Sequence, residues 1–254
     1  YESMIRMALK DPNQPAVVLA MSLTHYSGGG VEAYMTALGQ KYGLPVISIH
    51  KGLNSIIGNS YSFDGSGACW CSSDGLHPSL AGHKLYAKLI GYGVKTILDK
   101  NADSQMSIPT PTHSDRYETM KLYQRGNSLI TVTGFDTNSQ TFVSPTGKCH
   151  QVSGQGGWKL NGGTGTLTMT TNAKAVFVLY CANQYDGSNG TINATVSGGH
   201  TGSVSQNIVN NLKGESGWGQ VCAVPVLTEN TSANCTITVS FAGIGQLIGI
   251  AVAA

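Results

Sequence analysis

Asp74 and His77, with Pro78 directly after them, are the residues whose types and spacing could do chemistry. An imidazole titrates near neutral pH, so a histidine can take a proton from a hydroxyl group and return it later in a reaction. Its second ring nitrogen must be held in one tautomer, and a carboxylate three residues earlier in the same turn can do this. Pro78 fixes the backbone after His77 and is expected to open a helix. Taken alone, the same spacing is also that of a helix-capping Asp beside a surface His.

A base of this kind needs a nucleophile to activate, and the serines of this chain do not stand in the setting of one. Ser27 and Ser66 precede glycines but lie outside any strand–turn–helix pattern. Ser216 lies in a β-rich stretch and lacks the second glycine position of a nucleophile elbow. The sequence therefore predicts a base and its orienting carboxylate without a nucleophile.

Four further residues are candidates for binding a substrate. His25 follows the apolar run 16–21, near the edge where α/β sheets bind ligands, and the alternative is an ordinary loop histidine. Trp70 lies just before the D-x-x-H pair, and it either walls an acyl or sugar pocket or packs in the core. Trp158 and Trp218 are flanked by glycines, which leave an indole face open for stacking on a sugar ring. The alternative is that these two close the end of a β-sandwich core.

The composition narrows the classes of partner. Charged residues make up 11% of the 254 residues, the formal net charge is +2, and there is no basic run or acidic tail. Nucleic acid and membrane surfaces are therefore not expected as partners. The sequence shows no metal-ligand cluster, and no cofactor is expected. A jelly roll could still hold a structural calcium at backbone carbonyls, which the sequence cannot show. Six cysteines suit disulfides in an oxidising compartment and buried free thiols equally well.

The elements around Asp74 and His77 alternate between helix and strand. Residues 16–21 form a continuous apolar run, as expected for a parallel strand covered on both faces, and residues 45–49 form a second. Amphipathic helices are predicted over residues 2–10, 31–42 and 79–98. Residues 1–104 are therefore predicted to be part of an α/β domain with an open parallel sheet.

The pattern changes after residue 104. Residues 105–112 are polar and contain Pro109 and Pro111, as is typical of a linker. From residue 113 to residue 254, apolar and polar residues alternate between Gly and Asn turns. The predicted strands cover residues 128–135, 165–171, 173–182, 191–196, 220–227 and 235–241. This pattern predicts an all-β sandwich of jelly-roll type.

Residues 74–83, Asp-Gly-Leu-His-Pro followed by Ser-Leu-Ala-Gly-His, resemble the last conserved block of the SGNH/GDSL hydrolases. The order of elements over residues 1–98 is similar to the final third of that three-layer α/β/α domain. The resemblance implies that His77 is the general base, Asp74 orients it, and a Ser near the amino terminus of the whole domain is the nucleophile. No Gly-Asp-Ser block occurs in this chain, and the glycine and Asn-Asp oxyanion blocks are missing with it. The chain is therefore expected to be the carboxy-terminal part of such a domain.

A β-sandwich after such a domain resembles the modular carbohydrate esterases. This implies a secreted serine esterase that deacetylates plant cell-wall polysaccharide, with residues 113–254 as a carbohydrate-binding-like accessory domain. The expected partners are a polysaccharide or acylated sugar and an amino-terminal fragment that supplies the serine. The alternative is a non-catalytic carbohydrate-binding or bracing module that carries an inert α/β remnant.

Overall fold

The computed structural model of this chain describes residues 1–21, 30–57, 78–100, 107–112, 114–135, 157–182, 190–208 and 220–254. The chain divides into two compact units, Tyr1–His113 and Ser114–Ala254. The first unit contains helices and short parallel strands, and the second is antiparallel β-sheet. In the part of the chain that the structure describes, no helix is both long and apolar enough to cross a membrane.

The first unit alternates helix and strand, as the sequence pattern predicts. Its strands β1 (Leu19–Met21) and β2 (Val46–Ser48) pair in parallel, with Leu19 opposite Val46 and Met21 opposite Ser48. Its helices are α1 (Glu2–Leu9), α2 (Gly30–Lys41), α3 (Ile49–Ile57) and α4 (Leu80–Asp99). Helix α3 is missing from the prediction because its start merges with the apolar run of β2, and Gly52 and Asn54 are weak helix formers.

Helix α4 begins one residue later than predicted. The Ser79 hydroxyl accepts a hydrogen bond from the Gly82 backbone N–H at 3.1 Å, so Ser79 is the amino-terminal cap of the helix. Pro78 precedes this cap and is not the first helical residue. The D-x-x-H-P motif therefore ends immediately before a capped helix.

Residues 107–112, most of the predicted linker, are bound to the first unit. Oε1 of the buried Glu2 carboxylate accepts hydrogen bonds from Thr112 N at 2.8 Å and from Thr112 Oγ1 at 3.0 Å. The same oxygen accepts from Tyr42 Oη at 2.7 Å and from Lys41 Nζ at 3.2 Å. This buried network fixes the segment to α1 and to the end of α2.

Within the described residues, the second unit contains six strands. They are β3 (Lys121–Tyr123), β4 (Thr131–Thr133), β5 (Trp158–Ala182), β6 (Thr191–Gly198), β7 (Gly202–Asn207) and β8 (Gln220–Ala253). Strands β4, β5, β8, β6 and β7 are neighbours in that order, and β3 pairs with β8. Cys222 and Cys235 are free thiols in this sheet.

Strands β5 and β8 each span two parts of the sheet. Residues 158–173 of β5 pair with residues 233–247 of β8, whereas residues 175–182 pair with both 220–228 and 246–253. Register shifts separate the two regions, and side chains from both regions share one hydrophobic core. This arrangement is consistent with a β-sandwich in which two long strands pass from one layer to the other.

Candidate functional site

The carboxyl ends of β1 and β2 lie at one edge of the parallel pair. In open α/β sheets, ligands bind outside this edge. Three polar side chains meet there. Glu32 comes from the first turn of α2, Ser48 ends β2, and His50 lies in the first turn of α3.

The Glu32 carboxylate holds this cluster together. Its Oε1 accepts a hydrogen bond from the Ser48 hydroxyl at 2.5 Å, and its Oε2 lies 3.1 Å from His50 Nδ1. Ser48 Oγ in turn accepts a hydrogen bond from Lys51 N at 3.0 Å. The hydrogen bond from Ser48 lowers the pKa of Glu32, burial opposes this, and the hydrogen bond and charge of His50 lower the pKa further. The net shift is downward, so Glu32 is ionised at neutral pH.

The cluster is not a serine triad. In a triad the serine hydroxyl donates to the imidazole, whereas here Ser48 and His50 both bind the Glu32 carboxylate, on different oxygens. The arrangement ties the start of α2 to the end of β2 and places one negative charge at the edge. Sequence reasoning missed these three residues. The available signal was positional, because Ser48 and His50 lie at the end of a predicted parallel strand.

Helix α4 packs against β2 and α3. A Cβ on Gly93 would lie 2.7 Å from Ile47 Cδ1, so the helix is in close contact with β2. A Cβ on Gly52 of α3 would lie 3.0 Å from Leu89 Cδ2. The helix that follows the D-x-x-H-P motif is therefore fixed to the same strand that ends at Ser48.

Most of the predicted site residues lie outside the described residues. These are the proposed catalytic pair and three of the four substrate-binding candidates: Asp74, His77, His25, Trp70 and Trp218. The described chain resumes at Pro78, next to His77 in sequence. The roles of these five residues stay predictions.

Trp158 is the one predicted site residue whose surroundings the structure describes. It is the first residue of β5, lies opposite Leu247 of β8 and is 2% exposed. Its indole belongs to the core of the second unit. The face that the flanking glycines were expected to leave open is therefore mostly covered, although the residue also lines a pocket, and its role in binding a sugar stays a prediction.

A half-open pocket of about 150 Å³ lies beside Trp158. Its walls are mainly apolar and come from the turn before β4, from β4 and from the start of β5. The lining residues are Arg125, Gly126, Asn127, Ile130, Val132, Phe135 and Trp158. Within the described residues, no group of three or more His, Cys, Asp or Glu side chains could hold a metal ion.

No protein-family model and no curated protein matches the chain. Among solved structures, two of a two-domain esterase active on acetylated mannans, one co-crystallised with mannopentaose, match with a TM-score of 0.75 at 18% identity. Each match covers 100% of this chain and 67% of that chain. A family two carbohydrate esterase from Cellvibrio japonicus matches with a TM-score of 0.33 at 9% identity, over 53% of this chain and 33% of that chain. The first two confirm, at the level of fold, the resemblance to a two-domain carbohydrate esterase.

Proposed function

We propose that this chain is the carboxy-terminal portion of a secreted serine esterase of SGNH/GDSL type that deacetylates polysaccharide. The observation that carries the proposal is the Asp74-x-x-His77-Pro78 block directly before α4, in a chain that shares its fold over its whole length with a two-domain esterase. Residues 114–254 then form a β-sandwich accessory domain that binds carbohydrate.

In this proposal the serine lies outside this chain, and His77 takes its proton as the oxygen attacks the ester carbonyl. Asp74 holds the other ring nitrogen and stabilises the imidazolium. His77 then gives the proton to the sugar oxygen that leaves, and an acyl-serine remains. Water attacks the acyl group with His77 as base again, which releases acetate and restores the serine.

The geometry of the first unit supports this assignment. Helix α4 packs against β2, the strand that ends at Ser48 with its partner Glu32, and the residue that follows His77 lies two residues before this helix. Ligands of α/β sheets bind at this kind of edge. Acetylated mannan is the first substrate to test, since the two-domain esterase of the same fold acts on it.

The proposal predicts that this chain alone does not hydrolyse esters, because the base has no serine to activate. The measurement is turnover of p-nitrophenyl acetate and acetylated mannan by the purified chain, with and without a serine-directed phosphonate. Turnover that the phosphonate abolishes would place the nucleophile inside this chain and contradict the proposal.

An intact-mass measurement on the protein from its natural source separates the two classes of function. A polypeptide that carries Gly-Asp-Ser, joined to this chain or copurifying with it, supports the esterase. A lone species of 26.6 kDa supports the alternative, a carbohydrate-binding or bracing module with an inert α/β remnant.

A further inference from the structure

We propose that the pocket beside Trp158 is a subsite for one terminal pyranose ring of a neutral polysaccharide. The class of ligand rests on the proposed function, whereas the site itself rests on the structure of the second unit. The pocket measures about 150 Å³, about the size of a protein cavity that holds one benzene ring. Sites for larger ligands measure roughly 300–1,000 Å³. A pyranose with its hydroxyls is larger than benzene, so no more than one ring enters this half-open pocket, and it enters from a chain end or a single-sugar branch rather than from an internal stretch of polymer.

The aromatic walls of the pocket are fixed before any ligand arrives. The Phe135 ring stacks on Phe241 with ring centroids 6.5 Å apart and 24° between the planes. The same ring lies against Gly165, where a Cβ would come within 2.6 Å of it. Trp158 is held by its place in β5. Walls that do not reorganise lose little entropy on binding, so even a small contact can be selective.

The rim of the pocket supplies polar groups in a fixed turn. The Asn127 side-chain oxygen accepts a hydrogen bond from Leu129 N at 3.0 Å, and the Asn127 backbone oxygen accepts one from Ile130 N at 3.2 Å. Arg125 and Asn127 both line the pocket. An apolar floor with a few polar groups at its rim matches a pyranose, whose C–H face is apolar and whose hydroxyls lie at its edge.

The expected affinity is weak. Phe135 and Trp158 are 7% and 2% exposed, so each offers only part of a ring to the ligand. Aromatic contacts contribute on the order of 1 kcal/mol each beyond the buried area. Together with a few hydrogen bonds to the rim, these contacts correspond to a dissociation constant in the millimolar range.

The test is a titration of the ¹⁵N-labelled full chain with mannobiose and with mannopentaose, followed by NMR. The chain has three tryptophans, and the indole N–H signal of Trp158 is identified by its loss in Trp158→Phe. We expect this signal and the Gly126 amide signal to shift saturably, with similar dissociation constants for the two sugars because only one ring enters. Val132→Trp should fill the pocket and weaken binding by roughly tenfold or more. Val221→Trp is the matched control. Val221 is about as exposed as Val132, at 37% against 40%, but Val221 does not line the pocket.

Two results would overturn the subsite: no saturable shift of the Trp158 signal with either sugar, or unchanged binding in Val132→Trp. Mannopentaose binding more than roughly a hundredfold tighter than mannobiose would overturn the single-ring assignment. Ester hydrolysis is measured separately on the Ser-containing protein. Hydrolysis without sugar binding here would contradict the subsite alone, and binding without hydrolysis would contradict the esterase alone.

Discussion

Glu2 and Glu32 are carboxylates of the first unit with lowered pKa values, and their surroundings give them different roles. Glu32 lies at the carboxyl edge of β1 and β2, and its partners Ser48 and His50 come from the end of β2 and the start of α3. Glu2 lies in α1 and binds Thr112. Glu32 therefore joins α2 to the end of β2 and the start of α3, and Glu2 joins α1 to the segment that carries Thr112.

Replacing Glu2 by Gln should destabilise the first unit in a pH-dependent way. Burial raises the pKa of Glu2, but the hydrogen bonds from the Thr112 backbone, Tyr42, the Thr112 hydroxyl and Lys41 lower it more, to about 2 from 4.5. A carboxyl group with a lowered pKa adds stability above 4.5, and this stability is lost as the pH falls toward 2. Urea unfolding should show a loss of roughly 2–3 kcal/mol at pH 7 that shrinks below pH 4.5.

The control for Glu2→Gln is Asp99→Asn. Asp99 pairs with Lys95 on the exposed side of α4, at 2.7 Å, with side-chain exposures of 61% and 71%. Exposed pairs of this kind contribute little. If Glu2→Gln lowers the free energy of unfolding equally at pH 7 and at pH 3, the charge of the carboxylate does not cause the destabilisation.

Replacing His77 by Ala in the Ser-containing protein should lower kcat by about 10⁴-fold or more with little change in KM, because the serine loses its base. Asp74→Ala should cost less, since the orienting carboxylate usually matters less than the base. His83→Ala is the matched control, because this His lies six residues later on the exposed face of α4. Wild-type kcat in His77→Ala would end the SGNH assignment.

At the scale of elements, a single glycine, Gly93, decides how closely helix α4 approaches β2. Gly91 and Gly93 lie two residues apart in this helix. A Cβ at Gly93 would lie 2.7 Å from Ile47 Cδ1 and 3.3 Å from its Cγ2, whereas a Cβ at Gly91 would meet nothing within 4 Å. An alanine at Gly93 therefore changes both packing and helix propensity, whereas an alanine at Gly91 changes helix propensity alone.

Gly93→Ala should destabilise the first unit by about 1–3 kcal/mol, because the buried Ile47 must move away. Gly91→Ala should stabilise it by up to about 1 kcal/mol, because alanine favours a helix and nothing is displaced. Chemical unfolding of each variant measures whether the free energy of unfolding falls, as expected for Gly93→Ala, or rises, as expected for Gly91→Ala. If both substitutions stabilise the unit, α4 does not lie against β2 as the structure places it.

The elements also show what the sequence can and cannot predict. Apolar runs and helical periodicity predicted β1, β2 and three helices, because these signals are local. The alternating pattern predicted most of the sheet, but it could not show that 165–171 and 173–182 form one strand, since continuity depends on pairing with β8. Strand β7 was missed because it is an edge strand without a buried residue. The burial of Trp158 and the partners of Glu32 come from residues far away in sequence, which no local pattern contains.

At the scale of the whole molecule, the two units have cores of very different size. Within the described residues, the main cluster of the first unit contains Ile5, Leu19, Met21, Met35, Leu38 and Tyr42. The cluster of the second unit is several times larger; its buried strand residues come from β5, β6 and β8, and Tyr123 of β3 and Val204 of β7 pack against them. Stability scales with the apolar area that folding buries. The first unit, whose described residues form a sheet of two three-residue strands, should therefore be the weaker one.

Thermal unfolding of the full chain should consequently show two transitions, with the first unit melting at the lower temperature. Two substitutions show which transition belongs to which unit. Glu2→Gln should lower only the first transition, and Ile237→Ala, in the fully buried core of the second unit, should lower only the second, since a truncation of this kind costs about 2–5 kcal/mol. Differential scanning calorimetry measures both at once. A single transition that both variants lower together would show that the chain unfolds as one cooperative block, and that the first unit draws its stability from the second.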